Sequence, residues 1–144
     1  SKAGPLIKKT IDFYFFGKLD PKKQVLNGME KFAPKLTPEN IKIDWKESID
    51  IIERKIRGLS PLPGAWTFFK NGNIKSRMKI LESSIIYQNH KNELNKIIIK
   101  NGSLFISLKE GCLKCTEIQI ESKKKMSTKS LLNGYKFSEN SFVL

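Results

Sequence analysis

The sequence is poor in the side chains that most enzymes use to react. Its 144 residues include one histidine, His90, and two cysteines. Cys112 and Cys115 have metal-like spacing, but zinc needs four ligands and there is no second pair. His90, in the polar run "YQNHKNELN", adds one ligand at most. A redox pair would open a helix, whereas "CLKCTEIQI" reads as a strand on which positions three apart face opposite sides. Neither a metal nor a redox centre is therefore expected. No run approaches the ~18 apolar residues of a membrane span, and the start lacks the basic, apolar, small-residue order of a secretion signal. We expect a cytoplasmic protein without membrane contact, in which Asn101-Gly102-Ser103 is a turn rather than a glycosylation acceptor. Acidic residues are also scarce: 14 Asp+Glu stand against 27 Lys+Arg, a formal charge of +13. Such a field favours a polyanion, nucleic acid first. A genome-wide bias toward Lys, Ile and Asn would raise the charge as well.

What is present suffices for one real core with an appended segment. In "AGPLIKKTIDFYFFGKL", Ile7, Ile11 and Phe15 recur every four residues and Gly17 is placed to end the helix. Phe13, Tyr14 and Phe16 extend the apolar surface around it, so this helix is expected to belong to, or pack against, an upstream domain. The proline-bearing stretch over residues 20–42 reads as a linker. "DWKESIDIIERKIRGL" then places Ile49, Ile52, Ile56 and Leu59 on one stripe, with Gly58 positioned to stop the helix. Trp45 is expected as its hydrophobic anchor, and Asp44 as an aid to its start.

From "AWTFFK" onward the period is two. "NIKSRMKIL", "NKIIIK", "SLFISLK" and "CLKCTEIQI" complete five strand candidates, punctuated by Asn71-Gly72, Asn101-Gly102 and Glu110-Gly111. A parity switch in the last one predicts a bulge near Thr116 or Glu117. "MSTKSLLNG" reads as a short helix capped by Ser127. The fold expected is mainly β with flanking helices: a small five-stranded Greek-key, OB-like barrel preceded by a linker and an N-terminal helix. Strand order is not readable, so an SH3-like barrel stays open. In "LSPLPGAW", Pro61 and Pro63 bar helix continuation, Gly64 permits a bend, and Trp66 is expected to plug the core.

Three stretches together carry a resemblance. "APKLT" with "IDW", then "IRGLSPLPGAW", then "IQIESKKKMSTKSLLNG" resemble in order and spacing the C-terminal domain of the methionyl-tRNA formyltransferase family. The likeness covers nearly the whole chain. It implies that residues 1–19 are the last helix of a truncated catalytic domain, 20–42 an interdomain linker, and 43–144 an OB-like tRNA-binding domain. It also implies a parent enzyme that moves a formyl group from 10-formyltetrahydrofolate to the methionine α-amino group of initiator methionyl-tRNA, in translation initiation. The family's Asn-His-Asp set and Ser-Leu-Leu-Pro loop are not in this sequence. The piece is thus expected to be inactive alone, to bind no cofactor, and to be monomeric. The alternatives are the same domain on another formyl-group enzyme, or a stand-alone module for single-stranded nucleic acid.

Candidate RNA contacts form three groups. Lys35 matches the family's linker lysine; Lys123 and Lys124 match its Lys-Lys pair, with Lys125 as an extra charge; Lys75, Arg77 and Lys79 form a basic ladder on one strand face. The residues from Lys123 to Lys125 are expected to hold phosphate with free amides at the following helix start. Each group also reads as an ordinary solvated charge. No aromatic alternates with the ladder along its strand, which disfavours a single-strand mode built on stacking. Arg57 is expected to bond carbonyls at its helix end, and Gln119 to be a structural hydrogen-bonder. Two departures stand out: Leu62 replaces the usual Trp, and Ile120-Glu121-Ser122 replaces Pro-Ala-Gly, so the loop before Lys123 is expected to differ. Residues 82–95 match nothing specific and read as a variable loop.

Overall fold

The computed structural model describes residues 2–23, 25–26, 28–29 and 32–144. Ser1 of the expected helix, and Gln24, Asn27, Glu30 and Lys31 of the expected linker, lie outside the described residues. The chain forms two units, Ser1–Pro34 and Lys35–Leu144. In the first, α1 spans Ala3–Phe15. Gly17, at φ +63°, ends it: the Gly17 N–H donates to Tyr14 O and the Lys18 N–H to Phe13 O, a paired C-terminal closure that glycine makes cheap. None of its residues is buried within the unit.

Residues 35–42, read above as the end of the linker, fall in the second unit. Thr37 and Asn40 cap one another, the Thr37 N–H donating to Asn40 Oδ1 at 2.9 Å. The chain then runs parallel to Trp66, Ile43 donating its N–H to Trp66 O and Trp66 its own to Ile41 O. Helix α2, Ile49–Leu59, begins at Ser48 rather than near Asp44. Asp44 instead closes the preceding turn, its Oδ1 accepting from the Lys46 N–H at 3.0 Å. Ile49, Ile52 and Ile56 are buried to 1% exposure or less, each contributing about 2 kcal/mol. Gly58 lies inside the last turn, and the helix stops one residue later, at Leu59.

Among the described residues seven strands make one sheet: β1 Ala65–Asn71, β2 Ile74–Tyr87, β3 Ile97–Lys100, β4 Ser103–Leu108, β5 Gly111–Ile120, β6 Met126–Ser127 and β7 Ser141–Val143. The order is β3-β4-β5-β2-β1-β7, with β6 on β5 and the named pairs antiparallel. A Lys96–Phe142 bridge and the Val143 N–H on Asn95 O bring β7 back to the start of β3. The result is a nearly closed barrel, consistent with the OB-like expectation. The five expected strands are all there, and two short ones supplement them.

The bulge lies where parity placed it and has a twin. Ile80 opposes Ile118, Glu82 opposes Glu117 and Ser83 opposes Cys115, so Leu81 and Thr116 are each an extra residue on their strand. Beyond it β2 continues to Tyr87, so residues 82–87 are strand rather than loop. The paired bulge and the adjacent Ile85-Ile86 hide the alternation that would reveal this. Helix α3, Thr128–Leu132, is capped by Ser127 Oγ, which accepts from the Ser130 N–H at 3.1 Å. The core gathers Phe69, Met78, Ile80, Leu104, Ile106, Leu113, Ile118 and Val143 beneath the α2 isoleucines.

Candidate nucleic-acid interface

Alternation puts Ala65 and Phe69 of β1 into the core and Trp66, Phe68 and Lys70 on the opposite, outer face. Register then sets Trp66 against Lys79, Phe68 against Arg77, and Lys70 against Lys75. The ladder therefore does have aromatic neighbours, across the strand pair instead of along it. The Arg77 guanidinium lies 4.2 Å from the Trp66 ring centroid and Lys75 Nζ 4.6 Å from that of Phe68. Lys42 Nζ reaches both rings, at 5.7 and 5.8 Å. Trp66 and Phe68 meet edge-on at 5.2 Å. Each cation over an aromatic face gains about 0.5–1 kcal/mol.

Trp66 is thus not the core plug expected. It is buried to 9% exposure on the outer face, and its Nε1–H donates to Pro38 O at 2.8 Å, which fastens the 35–42 segment there. Lys35 is exposed on that segment, and its carbonyl accepts from Asn40 Nδ2 at 2.8 Å. Lys79 is half-buried and donates to Pro63 O at 2.9 Å, bracing the turn that holds Pro61 and Pro63. Gly64 in this turn has φ +80°, and a Cβ there would sit 2.9 Å from Leu81 Cδ2. Arg77 Nε is buried and has no acceptor among the described residues. It lines a small cleft of about 180 Å³ with Lys79, Gln119, Glu121 and Ser122.

The third group borders the same cleft. Gln119 faces Lys79 across β2 and β5 and donates Nε2–H to Lys123 O at 3.0 Å; the Glu121 N–H donates to Arg77 O. Ser122 takes the left-handed conformation, φ 64°. Lys123, Lys124 and Lys125 are exposed, with Lys125 Nζ 3.8 Å from Glu117 Oε1. Between these lysines and α3 stands β6, and Ser127 Oγ already accepts from the Ser130 N–H.

The outer surface of β1, β2 and β5 thus carries or borders all three groups. Sequence reasoning missed Lys42 and Lys70. Lys70 had a signal, the shared parity of Trp66, Phe68 and Lys70, which the continuous apolar run concealed; Lys42 had none. Other expected residues play structural parts. Trp45 is buried and donates Nε1–H to Thr67 Oγ1 at 2.8 Å. Arg57 pairs with Glu53 at 3.2 Å rather than with helix-end carbonyls. Cys115 lies in the core, where burial pushes its thiol up to about 12, while Cys112 faces the other side of the sheet. His90 directs Nε2 at the carbonyls of Leu108 and Gly111. Among the described residues no helix is long and apolar enough to cross a membrane.

The formyl transferase C-terminal domain family model matches residues 35–136. Methionyl-tRNA formyltransferase of Flavobacterium johnsoniae is 41% identical over 78% of this chain and 36% of its own length. That of Clostridium beijerinckii is 32% identical over 96% of this chain and 44% of its own. The chain therefore spans roughly two-fifths of the curated relatives it matches. A variant of HypX from Aquifex aeolicus superposes with TM-score 0.61 at 17% identity, covering 92% of this chain and 24% of that one. HypX in complex with tetrahydrofolic acid does so at 0.54 and 16%, covering 85% and 21%. At such identity these two solved structures speak for the fold alone.

Proposed function

Because the chain belongs to the formyl transferase C-terminal domain family, we propose that it is the tRNA-holding part of a methionyl-tRNA formyltransferase. It presents initiator methionyl-tRNA to a catalytic domain preceding residue 20, which transfers the formyl group of 10-formyltetrahydrofolate to the methionine α-amino group. The observation that carries this reading is the gathering of Lys35, Lys42, Lys70, Lys75, Arg77 and the 123–125 run around one face. Such a surface tracks phosphates and gains affinity by releasing counterions. Folded RNA is recognised mainly through its shape, backbone and 2′-hydroxyls, a mode that needs charge more than exposed rings. Trp66 and Phe68 accordingly serve as a floor for cations, and with their faces covered they are poor platforms for single-strand stacking. The names of the curated relatives favour this enzyme over other formyl-group enzymes.

The protein would act in the cytoplasm, as a monomer, and this piece alone would be inactive. Its one histidine is held by Leu108 O and Gly111 O and is not set up for formyl chemistry. We therefore assign the formyl donor no site on this chain. Filter binding at two salt concentrations with initiator tRNA, elongator tRNA and a single-stranded oligomer tests the reading. Both tRNAs are expected to bind more tightly than the oligomer. The reverse order would sink it.

A further inference from the structure

The outer surface of β2, β5, β4 and β3 holds a second cleft, away from the basic ladder. It measures about 510 Å³, within the 300–1,000 Å³ range usual for small-molecule sites. Register builds its floor: Ile98 opposes Phe105, Lys100 opposes Ser103, and Cys112 stands between Ser107 and Ile86. Phe105, Ile86 and Ile98 are half-buried, leaving part of one ring and two aliphatic side chains open to the cleft. Around them stand Gln88, Asn92, Asn101 and Ser103, with Lys100 exposed at the rim and no carboxylate in the lining. On one side the lining, Gln88 and Asn92, comes from the 88–95 loop. His90 Nε2 fastens it to Leu108 O at 2.8 Å and Gly111 O at 3.0 Å.

We infer that this cleft is a nucleobase site that takes one unpaired base and its phosphate. An aromatic side chain offers a base its π-face, and side-chain amides supply both donors and acceptors to match a base edge. Lys100 at the rim, with Lys114 opposite Phe105 on β5, supplies charge for the phosphate. A purely apolar ligand would leave the amides unanswered. The site lies outside the phosphate-tracking face, so it adds base contact to a domain whose other contacts read only backbone. In taking the base from an RNA it rests on the RNA-binding reading. A free nucleotide offers the same chemistry.

The test uses the full chain and fluorescence anisotropy with labelled single-stranded hexanucleotides of each base at low salt. One stacked base is worth roughly a tenfold change in affinity or more. Phe105→Leu is expected to weaken hexamer binding about tenfold and Asn92→Ala several-fold, with folded tRNA much less affected. Asn92 is exposed, so its replacement serves if Phe105→Leu does not fold. Displacement of the hexamer by adenosine or uridine monophosphate would make a free nucleotide the occupant; displacement only by longer strands would make it RNA. Either result supports a nucleobase site. Unchanged hexamer affinity in folded Phe105→Leu and in Asn92→Ala would overturn it. Failure of the ladder reading looks different: Lys75→Ala/Arg77→Ala would then leave tRNA binding intact, whatever the cleft variants do.

Discussion

Thr67 is buried to 0% exposure and joins three parts of the chain. Its Oγ1 accepts from Trp45 Nε1–H at 2.8 Å and lies 3.1 Å from Leu144 O, to which it donates. Thr67→Val preserves the shape but strands an indole donor in the interior. A loss of about 1–3 kcal/mol is expected in urea unfolding, and Thr67→Ser should recover most of it. Equal losses in the two variants would mean that packing, not the hydrogen bond, matters there. Cys115 makes a pH prediction. Burial raises its thiol from 9.0 to about 12. Below pH 9 it is protonated in both states and its contribution is fully present. From pH 9 to 12 the unfolded thiol ionises while the buried one holds its proton, so stability falls by up to about 1.4 kcal/mol per unit. Lysines and tyrosines titrate nearby, so the measurement is the difference between wild type and Cys115→Ala. That difference should shrink as pH rises above 9, and parallel profiles would refute the assignment.

At the scale of elements, β2 and β5 approach closely at Gly111. Gly111 has φ +156°, and a Cβ there would lie 2.2 Å from Ile86 O. Gly111→Ala is therefore expected to cost several kcal/mol, enough to abolish a cooperative thermal transition or drop its midpoint by more than about 10 °C. An unchanged melting curve would mean that the strands part freely. The sequence placed a turn at Glu110-Gly111, but the contact that makes glycine obligatory belongs to the pairing with residues 82–87, where no strand was foreseen. The same holds for Trp66. A continuous "AWTFF" shows apolar side chains on both parities, and only the pairing with β2 tells which face meets the core and which meets cations. Strand existence, the β5 bulge and the Ser127 cap were legible because each depends on near neighbours in sequence. Lys42 was not, because its place over Trp66 and Phe68 follows from a parallel contact between segments 24 residues apart.

For the whole molecule, the question is whether +13 is a binding surface or a habit of composition. Two triple variants of equal charge change decide it. Lys42, Lys70 and Lys75 are exposed and lie on or over the outer face of β1 and β2. Lys109, Lys129 and Lys136 are also exposed, and lie in the β4–β5 turn, in α3 and between α3 and β7. Replacing either set by alanine removes three charges and weakens the long-range field alike, so association steered only by net charge would slow equally in both. Contacts with phosphates behave otherwise, since each one lost removes a released counterion. The slope of log affinity against log salt should then become shallower by roughly two to three for the Lys42/Lys70/Lys75 variant, and change by less than one for the other. Filter binding with initiator tRNA across a fourfold range of salt measures both slopes. Equal slopes in the two variants would assign the charge to composition and remove the ladder from the binding site; unequal slopes would locate the phosphate path along β1 and β2.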